Sequence, residues 1–194
     1  MNYKIIKSKR KTISIIISTN NEIIVKAPYF VTEKTISEFI NSKQSWIDKH
    51  IYKNDEINNQ YNEIISKNKC LLYGRIIDFM PNFNNFITKT AKDYLVKKTY
   101  YLANKFNFNF SKVNVRFYKS RWGTCNSKNE ITLNKRLVCL NEELIDFVIL
   151  HELCHTVYFN HKQNFHNLLN SCVKNANKLK KELNDFSFIN KIEY

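Results

Sequence analysis

Three features of the 194-residue chain predict an α+β fold. Apolar and polar residues alternate between Ile5 and Lys26, helical spacing takes over from Thr32, and the two patterns then interleave with no internal repeat. The expected layers are an N-terminal antiparallel β meander and a small mixed sheet packed on helices.

The meander is read from three short alternating pieces, separated by a basic turn at Ser8-Lys9-Arg10-Lys11 and a polar one at Thr19-Asn20-Asn21-Glu22. Ala27-Pro28-Tyr29 closes it. From Thr32 the residues Ile36, Phe39, Ile40, Ile47 and Ile51 recur at helical spacing, with Trp46 near the end. Lys53 to Lys69 is polar and rich in Asn, and reads as a mobile connection. Leu71 to Phe79 reads as a strand interrupted by Gly74. Thr88 to Asn104 predicts a long helix with Ala91, Leu95, Val96 and Leu102 on its apolar side. Val113 to Tyr118 alternates as a strand, and Ile131, Leu133 and Leu137 continue a partner strand after the Ser127-Lys128-Asn129 turn. Asn141 reads as a helix N-cap, followed by Glu142 and Glu143 in the dipole-complementing first turn and by Leu144, Ile145, Val148 and Ile149 facing inward. A last helix is expected from Lys162 to Leu183. The division expected is residues 1–80 and residues 81–194, packed as one compact unit.

Composition narrows the function classes. The 31 basic and 17 acidic residues leave a net charge of +14. Of the basic residues 26 are Lys and only 5 are Arg, while Asn (28) and Ile (23) are equally inflated. All three enriched residues have A/T-rich codons, so compositional drift accounts for the charge better than a polyanion partner, which Arg would serve better. Two Gly and two Pro exclude collagen-like and linker classes. No stretch is apolar enough to span a membrane, and the first residues lack the apolar core of a signal peptide. Cys70, Cys125, Cys139, Cys154 and Cys172 are odd in number and form no CxxC pair, which argues against a disulfide framework or zinc ribbon and for the cytoplasm.

The chemistry is concentrated at His151-Glu152-Leu153-Cys154-His155. Residues four apart on a helix differ by about 40° in azimuth, so both imidazoles leave one face and can share an ion. Glu152, about 100° around, reaches a water on that ion without ligating it. Two neutral imidazoles and one carboxylate base are the equipment of a zinc hydrolase, with Glu152 catalytic. A third ligand is needed. His161 follows after Thr156-Val157-Tyr158-Phe159-Asn160, a gap that lets the helix end, with Asn160 in the left-handed conformation, and the chain fold back. His161 is preferred over His166, His50 or a carboxylate such as Glu182, and Phe165, four residues on, is placed to pack beneath it. Metzincins share the spacing but turn on a Gly where this chain has Tyr158, which excludes that class. Cys154 reads as a small buried hydrophobe. Arg121, Trp122, Gly123 and Tyr158 are the candidate substrate-binding residues, Gly123 because it permits close backbone approach.

Four motifs stand in register: Ser120-Arg121-Trp122-Gly123-Thr124-Cys125, Ile131-Thr132-Leu133-Asn134-Lys135-Arg136-Leu137, His151-Glu152-Leu153-Cys154-His155 and Asn160-His161-Lys162-Gln163-Asn164-Phe165. Their order resembles the YgjP-like metallopeptidase family, related to SprT-like and WLM zincins, and Arg10-Lys11-Thr12, Ala27-Pro28 and Trp46-Ile47 extend the likeness to nearly the whole chain. The resemblance implies a zincin-like metallopeptidase domain with an HExxH active-site helix, one zinc ion held by His151, His155 and His161, and a peptide or protein substrate. Thr124 stands where the family has Ser, and His166 where an aromatic residue follows the Phe. The zinc ribbon of some SprT-like proteins is missing. Two other readings compete with the peptidase: a zinc-dependent nucleoside triphosphate pyrophosphatase, weakened by the lack of a glycine-rich phosphate loop, and a nucleic-acid-associated SprT-like protease, weakened by the scarcity of Arg.

Overall fold

The structure, a computed structural model, describes residues 2–18, 20–66 and 69–191. The chain divides into two compact units, Met1–Gln60 and Tyr61–Tyr194. The architecture is mixed α and β, with small sheets and six α-helices.

In the first unit β1 (Tyr3–Ser8), β2 (Ser14–Ile17) and β3 (Ile23–Pro28) form one sheet, but in the order β1-β3-β2. The expected meander is therefore wrong. β1 runs parallel to β3, with Tyr3 opposite Ile23 and Ser8 opposite Pro28, and only β2 is antiparallel to it. The physical reason is burial. β3 has the most apolar inner face, Ile23, Val25 and Ala27 being at most 5% exposed, and its six residues offer a full-length partner to β1 that four-residue β2 does not. Ile36, Ile40 and Ile47 complete that core from the helices α1 (Glu33–Ser42) and α2 (Gln44–Ser66). Thr32 caps α1 by accepting from the Thr35 N–H at 3.2 Å. The connection expected over Lys53 to Lys69 is helix as far as Ser66; Lys67 and Asn68 lie outside the described residues. With no Gly or Pro to stop it, the helix continues through Asn-rich sequence, packing Ile47 and Ile51 against the first unit's core and burying Ile64 near its end. Asn54 joins in, donating to the Ser18 carbonyl at 2.9 Å.

In the second unit β4 (Lys69–Leu72) and β5 (Arg75–Asp78) form a hairpin where one interrupted strand was expected. Its two-residue turn has Tyr73 at φ 48° and Gly74 at φ 74°, the paired left-handed geometry that suits the twist of a tight hairpin. The hairpin tip is docked. The N–H groups of Tyr73 and Gly74 donate to the carbonyls of Val138 (2.8 Å) and Cys139 (2.9 Å), and a Cβ on Gly74 would stand 3.1 Å from the Asn141 Cβ.

α3 (Phe83–Phe106) starts five residues before the expected Thr88 and ends on Asn107 in the left-handed conformation. The second three-stranded sheet comprises β6 (Lys112–Arg116), β7 (Gly123–Cys125) and β8 (Glu130–Asn134), in the order β6-β8-β7. β8 is parallel to β6 and antiparallel to β7, so among the described residues β7 is an edge strand. Leu137 belongs to a 3-10 turn (Lys135–Cys139), not to the strand. α4 (Glu142–His155), α5 (Gln163–Cys172) and α6 (Ala176–Asp185) follow. The single last helix expected is thus two, broken where Asn175 adopts φ 60°. All five cysteines are free, and no helix among the described residues is long and apolar enough to cross a membrane.

Candidate metal centre

α4 is the axis of the site. The Asn141 Oδ1 accepts from the Leu144 N–H at 2.9 Å, and Glu142 and Glu143 complete its first turn. Leu144, Ile145, Phe147, Val148, Ile149, Leu150, Leu153 and Cys154 are buried around nearly its whole circumference, so the helix is held on all sides. It ends at Thr156, with the Val157 and Tyr158 N–H groups both donating to the Cys154 carbonyl. Asn160 is not left-handed. The reversal is secured instead by its side chain, whose Oδ1 accepts from the Lys162 N–H at 3.1 Å and leads the chain into α5.

This turn brings His161 back to α4. The Nε2 atom of His161 is 3.1 Å from those of both His155 and His151. Those three side chains form the one cluster among the described residues that could hold a metal ion. A tetrahedral ion with Zn–N bonds of about 2.0–2.1 Å requires ligand nitrogens roughly 3.3–3.4 Å apart; the two contacts of His161 are near that spacing, and all three ligand atoms lie within 4.8 Å of one another, so the donor set suits zinc. The protonation pattern fits as well. The His155 Nδ1 lies 3.0 Å from the Tyr158 carbonyl, which can only accept; Nδ1 therefore carries the proton and Nε2 presents its lone pair. Burial, reinforced by the neighbouring imidazoles, pushes His151 down to about 3, keeping it neutral throughout the physiological range. Burial also lowers His161, with help from His155 and Lys180.

Phe165 is fully buried beneath all three rings, its centroid 4.9 Å from His151, 4.6 Å from His155 and 4.8 Å from His161. The packing expected of it is present and extends to the whole triad. The other candidate ligands are engaged elsewhere. His50 bonds the Trp46 carbonyl at 2.8 Å within α2, His166 lies against the Phe165 ring outside the cluster, and Glu182 accepts from the Asn141 side chain at the far end of α4.

Glu152 is 6% exposed. Burial pushes its carboxyl up to about 7, against the opposing charge of Arg121, so that it takes a proton readily near neutrality. Gly123 lies directly against it: a Cβ there would be 2.8 Å from the Glu152 Cγ and Oε1. The close approach expected of Gly123 is to this carboxylate. Arg121 is exposed nearby, and Trp122 lines a cleft of about 200 Å³ together with Gly123, Phe147, Val148, His151, Glu152, Lys180, Leu183 and Asn184. Tyr158 contributes its carbonyl to His155, while its side chain lines a separate hollow with Phe106, Phe108 and Leu168.

Four contributors were missed from sequence. Asn134 is completely buried on β8; its Nδ2 lies 2.9 Å from the carbonyls of both Tyr118 and Arg121, and its N–H donates to the Trp122 carbonyl at 2.8 Å. It therefore fixes the loop that delivers Trp122 and Gly123. The available signal was an Asn closing a strand whose inward residues, Ile131 and Leu133, are apolar. Lys180, Leu183 and Asn184 had none, because the face of α6 that meets α4 is set by tertiary packing.

Among solved structures the chain resembles the metallopeptidase zymogens of Methanocaldococcus jannaschii jannalysin (23% identity) and Pyrococcus abyssi abylysin (17%). Each likeness covers 46% of this chain, and 92% and 90% of the respective neighbour, at a TM-score of 0.42, too loose to carry an argument. No curated protein matches the chain. The family model described as YgjP-like, metallopeptidase domain, matches residues 11–82 and 79–186. That span takes in the three converging histidines, Glu152 and the strand bearing Gly123, and the chain accordingly belongs to the YgjP-like metallopeptidase family.

Proposed function

We propose that the protein is a zinc-dependent peptidase in which Glu152 is the general base. The observation that carries the reading is the triad: three imidazoles whose ligand nitrogens lie within 4.8 Å of one another, beside a buried carboxylate whose proton affinity is raised toward neutrality. His151, His155 and His161 would hold one zinc ion. When bound, zinc supplies polarisation of a scissile carbonyl and acidification of a water molecule. Glu152 takes the proton of the attacking water on its carboxylate and returns it to the departing amine. Gly123 leaves room for that carboxylate, and the Asn134 amide keeps the preceding loop in place. β7, an edge strand beside Glu152, offers backbone N–H and C=O groups to an extended peptide.

A peptide suits this site better than a phosphoanhydride. Both glycines of the chain are committed, Gly74 to the hairpin turn and Gly123 to Glu152, which leaves none for a phosphate-cradling loop. Nor does the site offer the cluster of arginines that phosphate recognition favours. The five free thiols suit a reducing compartment, the cytoplasm.

The test is to offer zinc-loaded protein an unbiased peptide library and a panel of nucleotides. Peptide turnover is expected, with Glu152→Gln retaining zinc by elemental analysis and losing roughly two to four orders of magnitude in rate. Turnover of nucleotides in place of peptides, or full activity of Glu152→Gln, would sink the proposal.

A further inference from the structure

The cleft beside the triad has a composition that the hydrolytic reaction alone does not explain. Its walls are the apolar faces of Trp122, Phe147, Val148 and Leu183, and one side opens directly on His151 and Glu152. At about 200 Å³ it is smaller than the roughly 300–1,000 Å³ of sites for drug-sized ligands, and has room for one amino-acid side chain. At its margin stand Lys180 and Asn184, four residues apart and so on one face of α6.

Lys180 is the one cation in that lining, and among the described residues it makes no hydrogen bond or ion pair. It lines the cleft alongside His151, and its charge is felt at both His151 and His161, so the ammonium lies within electrostatic reach of the site. The one carboxylate in the lining, Glu152, is opposed by Arg121 and not by Lys180. A cation with no ion-pair partner among the described residues, next to an apolar slot, favours a ligand carrying an apolar group and an anion close together. A single ammonium, with no backbone nest or arginine fork, suits a carboxylate better than a phosphate.

We propose that this cleft selects the substrate: it accepts one apolar side chain beside the scissile bond, while Lys180 holds a carboxylate of the same peptide. The inference rests on the peptidase reading. The carboxylate comes from the peptide's C-terminus or from an adjacent acidic side chain, and the assay separates the two.

Randomised N-acetylated hexapeptides are offered to the zinc-loaded protein in two pairs of pools: free C-terminal acid against amide, and one fixed Glu against Gln in an amidated background. Preference for the anionic member, roughly tenfold or more in kcat/KM, is expected in one pair and identifies the source. Lys180→Ala should bring that ratio close to one, and Lys180→Arg should keep most of it. Because Lys180 is exposed, both variants should fold, and equal melting temperatures would verify this. Leu183→Trp should shift the preferred flanking residue from Leu or Phe toward Ala or Gly. Peptide cleavage with no anionic preference in either pair, or a preference that survives in Lys180→Ala, overturns this inference while sparing the peptidase reading. Absence of any peptide cleavage overturns both.

Discussion

Replacing Gly123 with Ala tests how tightly Glu152, the proposed general base, is held. The residue is not in the left-handed region, so alanine adds no backbone strain, and the perturbation is a single methyl group. That methyl would lie 2.8 Å from the Glu152 Cγ and Oε1 and 3.0 Å from Cδ, whereas ordinary contact begins near 3.4 Å. Glu152 must therefore retreat by about 0.6 Å, or β7 must yield by the same distance. Misplacement of a reacting group by about 1 Å costs on the order of a hundredfold, so Gly123→Ala should lower kcat about tenfold to thirtyfold. Zinc content should not change, because the methyl is directed at the carboxylate and not at the imidazoles. The assay is kcat and zinc stoichiometry for four proteins: wild type, Gly123→Ala, Glu152→Gln and the double variant. In the Glu152→Gln background the alanine should cost little more, since the base it displaces is already disabled. Wild-type kcat in Gly123→Ala, or a penalty undiminished in the double variant, would refute the claim that Gly123 acts through Glu152.

Two further outcomes are expected. His161→Ala should lose most of its zinc while His166→Ala keeps it, and equal loading of wild type and His161→Ala in elemental analysis would remove His161 from the ligand set. In the chelator-treated protein His151 and Glu152 act in opposite senses as the pH falls, and the lowered His161 adds to the His151 side. His151 falls from an ordinary 6.5 to about 3, so between those values the unfolded chain holds the extra proton and stability drops as pH falls. Glu152 rises from 4.5 to about 7, so in its window the folded chain holds the extra proton and the sign reverses. The two cancel between about 4.5 and 6.5, which leaves the acid loss from this pair to begin near 4.5. Glu152→Gln removes the counterweight and should move the onset up toward 6.5, read by denaturant unfolding across pH; an unmoved onset would contradict the opposed assignments.

What could be read from the sequence was what is local. The Asn141 cap, the paired imidazoles of α4, the return of His161 and the packing of Phe165 all follow from spacings within 25 residues, and the structure brings those side chains together. Strand order could not be read in the same way. Whether β1 lies against β2 or β3 depends on which strand buries the larger apolar face, a comparison across the sheet. The helical run to Ser66 was hidden because its polar composition outweighed its widely spaced isoleucines. Asn160, expected to turn the chain with a left-handed backbone, turns it with its side chain, while a left-handed Asn175 breaks a helix expected to be continuous. Lys180 could not be placed at all until the break at Asn175 had set the direction of α6.

The docked hairpin gives α4 an anchor remote from its histidines. Asn141 touches Gly74 and precedes His151 by ten residues, or about 15 Å of helix. A helix packed on every side behaves as a stiff rod, so an axial push at the hairpin reaches His151 and His155 with little attenuation, while His161, on a different segment, stays where it was. A two-residue turn that touches none of the three imidazoles thus helps to seat the helix that carries two of them, and substitutions at Tyr73 and Gly74 are expected to be felt there.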